Sequence, residues 1–322
     1  MRRAGWTLAA LVLLIACAGP AAADAAGPAL FQAGAATRSL DPPIAVYAGG
    51  FGPSPPIKRV HDPMATRAMY VSNGHRAVAF AVADLQGWFA AYQEGPYGIT
   101  SIRQEAAKRI TALGGPTVAA SDIIVEATHT HAGATVEGIW GPVPLRYLRL
   151  VHDRTVAALV AAARAAGPAH LQWSTIDAPY LDNINTAQTD SYAGWSQDGQ
   201  VSILRAVARR SGRTIATFAN VPAHGDIVNG ADLKLLSADY FGFSRATLER
   251  RLGGVAIVGP GTLGREESPI QTNGLADSQW YSCTVSDLLA RALARARWVT
   301  SRTIRSTESM LEIPGTNAAS AA

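Results

Sequence analysis

Ile123-Ile124-Val125-Glu126-Ala127-Thr128-His129-Thr130-His131-Ala132-Gly133 governs the reading of the whole chain. Ile123 to Ala127 is a short apolar run after a turn, which predicts a buried strand. Two histidines follow where that strand opens into a loop. Further on, Pro144 to Ala166 places Leu145, Leu148, Val156, Leu159 and Val160 at helical spacing and stops at Gly167-Pro168. A buried strand, a polar loop and an amphipathic helix in that order point to α/β layers rather than a bundle or a sandwich.

The same interleaving extends in both directions. Upstream, Ala68 to Ser72 and Arg76 to Leu85 read as strands joined at Asn73-Gly74, a strong hairpin signal. Thr100 to Leu113 reads as an amphipathic helix stopped by Gly114-Gly115-Pro116. Downstream, Leu171 to Thr175, Val201 to Val207 and Thr214 to Val221 read as strands. Ser237 to Leu252 reads as a helix closed by Gly253-Gly254, followed by a strand over Val255 to Val258. Asp277 to Trp298 reads as a long helix and Arg302 to Ile313 as a last strand. The expected fold is α/β, with layered mixed sheets flanked by helices. No repeat of 20 to 50 residues recurs, but each half has a strand running into a histidine-bearing loop, at His129 and at His224.

The N-terminus reads as an address. Met1-Arg2-Arg3 is a positive n-region, Trp6 to Ala16 an apolar h-region, and Ala21-Ala22-Ala23 a cleavage site. Residues 1–23 are therefore expected to be a signal peptide. Leu14-Ile15-Ala16-Cys17 also has the form of a lipobox, so the exported product is expected to be periplasmic, secreted or lipid-anchored at the envelope. Residues 24–40 are rich in Ala and Gly and read as a flexible lead-in. One domain is expected over residues 41–315, with a low-complexity tail at 316–322.

Composition supports one sizeable core: 48% hydrophobic against 16% charged residues argues against disorder. The net charge is +4, and two of those charges are Arg2 and Arg3. No basic run exceeds a pair, which excludes a nucleic-acid footprint. Peripheral membrane association is compatible with the charge, although no patch encodes it. With Cys17 lost or lipidated on export, Cys283 has no disulfide partner and reads as a small buried hydrophobe.

His129 and His131 alternate, so on a strand they share a face. Neutral imidazole is the commonest metal ligand, and strand ends opening into loops are where α/β proteins place sites. Two exposed or satisfied loop histidines are the bland alternative. His224, in Asn220-Val221-Pro222-Ala223-His224-Gly225-Asp226, again follows a strand. His61, His75, His152 and His170 lack that setting and read as structural, with His61 open to a supporting role. Gly259-Pro260-Gly261-Thr262-Leu263-Gly264-Arg265-Glu266-Glu267-Ser268-Pro269 is a glycine-rich loop that could cradle an oxyanion or a phosphate, or is plain surface. No Gly-Lys-Ser/Thr follows, so it is not a P-loop.

His61-Asp62-Pro63-Met64-Ala65-Thr66-Arg67-Ala68, Ala83-Asp84-Leu85 and Ala127-Thr128-His129-Thr130-His131-Ala132-Gly133 resemble the neutral/alkaline ceramidase family in order and spacing. Ala223-His224-Gly225, Ser237-Ala238-Asp239-Tyr240 and Glu267-Ser268-Pro269 continue the resemblance, which spans roughly residues 30 to 315. It implies the layered fold of that family's N-terminal domain. It also implies a zinc-dependent hydrolase that cleaves the N-acyl bond of ceramide-like lipids with metal-activated water. On this resemblance His129 and His224 bind zinc, His131 assists catalysis on the substrate side without binding the metal, and Ser268 is a catalytic residue that makes a polar contact near the reacting amide or acts as nucleophile. The residues alone would have given both His129 and His131 to the metal. The family completes its zinc site with a glutamate, within Pro-Gly-Glu, and a tyrosine. Here Ile313-Pro314-Gly315-Thr316 carries threonine, and neither ligand is found, which reads as a domain incomplete at its C-terminus. The alternative is a non-catalytic or truncated envelope protein that binds lipid or metal without turnover.

Overall fold

The structure is a computed structural model that describes residues 31–52, 54–88, 97–181, 183–184, 198–228, 234–263, 266–268 and 274–309. In chain order the elements are β1 (Phe31–Ser39), β2 (Ala65–Ser72), β3 (Ala77–Ala83), α1 (Ile99–Thr111), β4 (Ile123–Ala127), α2 (Leu145–Arg164) and β5 (Gly167–Asp177). They continue with β6 (Asn183–Ile184), β7 (Gln200–Ala208), β8 (Thr214–Val221), α3 (Asp239–Leu252), β9 (Val255–Pro260), β10 (Glu266–Glu267), α4 (Leu275–Ala294) and β11 (Arg297–Trp298).

One mixed sheet runs β4-β3-β2-β1-β5-β7-β8-β9, with β11 also paired to β5. Neighbours are antiparallel except at the two ends, where β3 pairs parallel with β4 and β8 with β9. A parallel pair needs a crossover, and α1 and α3 supply the two. The sheet folds over on itself. Phe31, Met69, Val71 and Val82 from one half meet Leu171, Ala206, Ala216 and Ile257 from the other.

Alternation along each strand sends the other face outward. Ala68, Tyr70, Ala77, Ala79 and Ala81 pack under α1 and α2, while Val201, Ile203, Ala219 and Val221 pack under α3 and α4. The small residues of the first half have a packing reason. A Cβ at Gly34 in β1 would lie 2.2 Å from the Ala162 carbonyl of α2, so strand and helix backbones touch there.

The residues expected to be a flexible lead-in are in part a central strand. Phe31–Ser39 is β1, paired with both β2 and β5, so the sheet takes in residues ahead of residue 41. An Ala- and Gly-rich stretch reads as flexible in sequence, yet it is what close packing under α2 requires. The last strand also differs: β11 is Arg297–Trp298, and residues 301–309 have no regular structure. The long helix accordingly ends at Ala294. Cys283 is exposed, not buried, because α4 turns Tyr281, Val285, Leu288, Leu289 and Ala292 inward and leaves Cys283 on the opposite face. The expected signal peptide and C-terminal tail lie outside the described residues. Among the described residues no helix is long and apolar enough to cross a membrane.

Two ion pairs tie α3 to the first half. Arg245 makes a bidentate, fully buried pair with Asp84, at 2.6 and 2.7 Å. Arg67 of β2 reaches Glu249 and also donates to the Ala256 carbonyl at 3.1 Å.

Candidate metal centre

The exits of β4 and β8 lie side by side, and short backbone contacts lock their loops together. The His131 N–H donates to the Gly225 carbonyl at 2.7 Å, and the Ser237 N–H to the Ala132 carbonyl at 3.1 Å. Thr130 Oγ1 adds a bond to the Ser237 carbonyl at 2.9 Å. The Asp62 carboxylate accepts from the Ala238 N–H at 2.9 Å and from Ser237 Oγ, holding the second loop in place.

The result is a triangle of imidazoles. Ring centroids are 5.0 Å apart for His129 and His131, 4.8 Å for His129 and His224, and 5.3 Å for His131 and His224. One ligand nitrogen from each lies within 4.8 Å of the others. Strand alternation is not what brings His129 and His131 together. His129 has left the strand with φ +57°, a left-handed conformation that a non-glycine residue adopts at a cost. Gly50, at φ +107°, lets the 49–52 loop lie on His131, since a Cβ there would be 2.3 Å from the ring. The exposed Phe51 meets His131 edge-on at 4.6 Å.

The environment keeps two of these rings neutral. Burial lowers the pKa of His129, and His224 lowers it further, against the Gln86 carbonyl bond and the Asp226 charge. Burial likewise pushes His131 down to about 3, aided by His129 and His224 and opposed by Asp226. Both ring nitrogens of His131 are buried and lack a hydrogen-bond partner among the described residues. Three imidazoles whose ligand nitrogens converge this closely are a donor set that zinc and similar transition metals take. The residues therefore fit a metal ion.

Ser268 is buried, and its Oγ–H donates to Asp226 Oδ1 at 2.6 Å. Its bearing on the imidazoles runs through Asp226, whose charge reaches His129 and His131. The sequence reading quoted Asp226 without assigning it, and it missed Gln86, whose carbonyl accepts from His129 Nδ1–H at 2.5 Å. A carbonyl partner leaves no trace in residue type.

The four other histidines stay outside the cluster. His61 pairs with Asp62, His152 with Ser101 and Asp153, and His170 packs on Trp298, while the His75 N–H closes the Asn73 turn. Of the glycine-rich loop, residues 264, 265 and 269 lie outside the described residues. Gly261 N–H donates to the Val221 carbonyl at 2.7 Å, and a Cβ at Gly259 would lie 2.9 Å from the Glu126 carboxylate. These described glycines serve close strand packing.

No family model and no curated protein matches the sequence. Solved structures do match. A ceramidase complexed with C2 superposes with a TM-score of 0.68 at 16% identity, over 83% of this chain and 44% of that one. The neutral ceramidase from Pseudomonas aeruginosa gives the same TM-score of 0.68 and 16% identity, over 83% of this chain and 45% of that one. The chain has the neutral ceramidase fold. It spans less than half the length of these two structures. Much of the resemblance noted in the sequence turns out to be scaffold of that fold: Asp62 and Asp84 are clamps, and Asp239 is a buried acceptor for the Val228 and Tyr240 N–H groups.

Proposed function

We propose that this protein is an exported, zinc-dependent amide hydrolase that cleaves the N-acyl bond of ceramide-like lipids. The observation that carries the reading is the convergence of His129, His131 and His224 from two strand exits, in a chain with the neutral ceramidase fold. His129 and His224 would hold the zinc. A zinc ion in such a site supplies Lewis-acid polarisation of the amide carbonyl and lowers the pKa of water toward neutrality.

The chain's own groups account for the remaining work. His131 is neutral and unpartnered, so one of its ring nitrogens can accept the proton of the attacking water. The same nitrogen can return it to the departing amine nitrogen. Asp226, fixed by Ser268, supplies negative charge that favours the transient imidazolium. Phe51 is 46% exposed and touches His131, placing an apolar surface where a lipid substrate would meet the site. Export, by the leader at residues 1–23, would put the protein where such lipids are found.

The test is bound zinc per chain, with hydrolysis of N-acyl lipids measured alongside. One zinc per chain, lost in His129→Ala and His224→Ala together with amide cleavage, is expected. Zinc without cleavage would favour the non-catalytic binder, and no retained zinc would sink the metal reading for this chain.

A further inference from the structure

Behind His129 lies a chain of hydrogen bonds that the zinc reading does not use. The Gln86 carbonyl takes the Nδ1–H of His129 at 2.5 Å. That bond fixes the tautomer and leaves the Nε2 lone pair for a metal. Gln86 is itself held at both ends. Its backbone N–H donates to the Ala134 carbonyl at 3.2 Å. Its side-chain amide lies against the carboxylate of Glu137. Only with the nitrogen toward Glu137 do donor and acceptor match, and it then donates to both oxygens, at 2.9 Å to Oε1.

Glu137 is in turn gripped. The Trp140 side chain donates to its carboxylate, and no cation pairs with it among the described residues. Two glycines make room for the arrangement. A Cβ at Gly87 would lie 1.7 Å from Glu137 Oε1, and one at Gly49 would lie 2.5 Å from the Trp140 ring. A half-buried carboxylate with no counter-charge, packed on a bare α-carbon and bonded to an indole and an amide, is costly to keep. A loop needing only closure could manage without it.

We infer that Glu137 is a positioning residue for His129, acting through Gln86. The carboxylate holds the Gln86 side chain, the side chain fixes the residue, and the residue's carbonyl sets the direction and tautomer of the imidazole. The inference rests on the metal-site reading only in taking His129 Nε2 as the functional atom. Outer partners of this kind typically change metal affinity by about 10- to 100-fold when removed.

The experiment compares the full chain with Glu137→Ala, Glu137→Gln and Gly87→Ala. It uses chelator competition for zinc and long-range ¹⁵N NMR of the histidine tautomers in metal-free protein. Glu137→Ala should weaken zinc binding about 10- to 100-fold and release His129 from the pure Nδ1–H form. Glu137→Gln keeps an oxygen that can accept from Trp140 and Gln86, and should stay within about threefold of wild type. Gly87→Ala displaces the carboxylate without deleting it, and should resemble Glu137→Ala even if that variant folds poorly. Wild-type zinc affinity and an unchanged His129 tautomer in both Glu137→Ala and Gly87→Ala would overturn the inference. If wild type binds no zinc but the tautomer is still released in these variants, the positioning role stands and the metal reading fails.

Discussion

In the first half of the molecule the third strand, β3, exits at Asp84; in the second half the corresponding strand, β8, exits toward His224. The halves run through the same order, three antiparallel strands, a crossover helix, a parallel fourth strand and a second helix. Their fourth strands differ as well. β4 leads to His129, whereas β9 leads to Gly261, which bonds back to Val221. With His129 and His224 as the proposed zinc ligands, each half gives the centre one of them, but from opposite members of its parallel pair. Equivalent places in the fold can be scaffold or chemistry, and what faces them decides. Asp84 faces a buried guanidinium and the Ala65 N–H, while His224 faces two other imidazoles.

The largest effect should come from breaking the scaffold member of this comparison. Asp84→Ala would leave Arg245 charged and buried without its partner, at a cost of about 3–5 kcal/mol by chemical denaturation. His224→Ala, at the corresponding exit, should cost about 1 kcal/mol and, on the proposed function, abolish zinc binding. Equal destabilisation by the two substitutions would erase the distinction between the two exits.

A second test sets the fourth strands against each other. Glu126 of β4 faces Gly259 of β9 with the Asn220 amide, at 3.4 Å, as its only hydrogen-bond partner among the described residues, and burial pushes its pKa up to about 7. Between its ordinary value near 4.5 and about 7, the folded protein holds this proton and the unfolded chain does not. Stability therefore falls as pH rises through that window, and the cost is complete above it. Glu126→Gln should stabilise the protein by about 3 kcal/mol at pH 8 and by almost nothing at pH 4. A gain of the same size at both pH values would show that the charge is not what the seam between β4 and β9 resists.

The sequence made the layers legible because alternation and punctuation are local. Ile123–Ala127 and Thr214–Val221 were readable to the residue, and Asn73-Gly74 marked the hairpin. β1 was hidden because Ala and Gly under α2 look like slack chain until the helix is in place. The three histidines were legible as strand exits, but their meeting depends on loop-to-loop bonds between residues about a hundred positions apart, such as Thr130 to Ser237. Gln86 and Glu137 gave no signal. One acts through a backbone carbonyl and the other through a side-chain amide, and neither interaction needs a recognisable motif. The sameness of the halves escaped a repeat search because it is a sameness of topology, with element lengths and residues free to diverge.

The smallest expected change in stability concerns the rim rather than either exit. Phe51 stands on a loop that precedes β2 and is 46% exposed, so its truncation removes little buried surface. Phe51→Ala should shift stability by less than about 0.5 kcal/mol. Its edge contact with His131 at 4.6 Å nevertheless places the ring beside the proposed proton acceptor. If Phe51 receives the apolar part of an N-acyl lipid, its loss should raise KM several-fold, about 1 kcal/mol of binding, and leave kcat near wild type. A fall in kcat at constant KM would mean that Phe51 instead holds His131 in place. The first half would then supply two imidazoles and their cover but no substrate surface, and the lipid would have to approach past the loops of the second half.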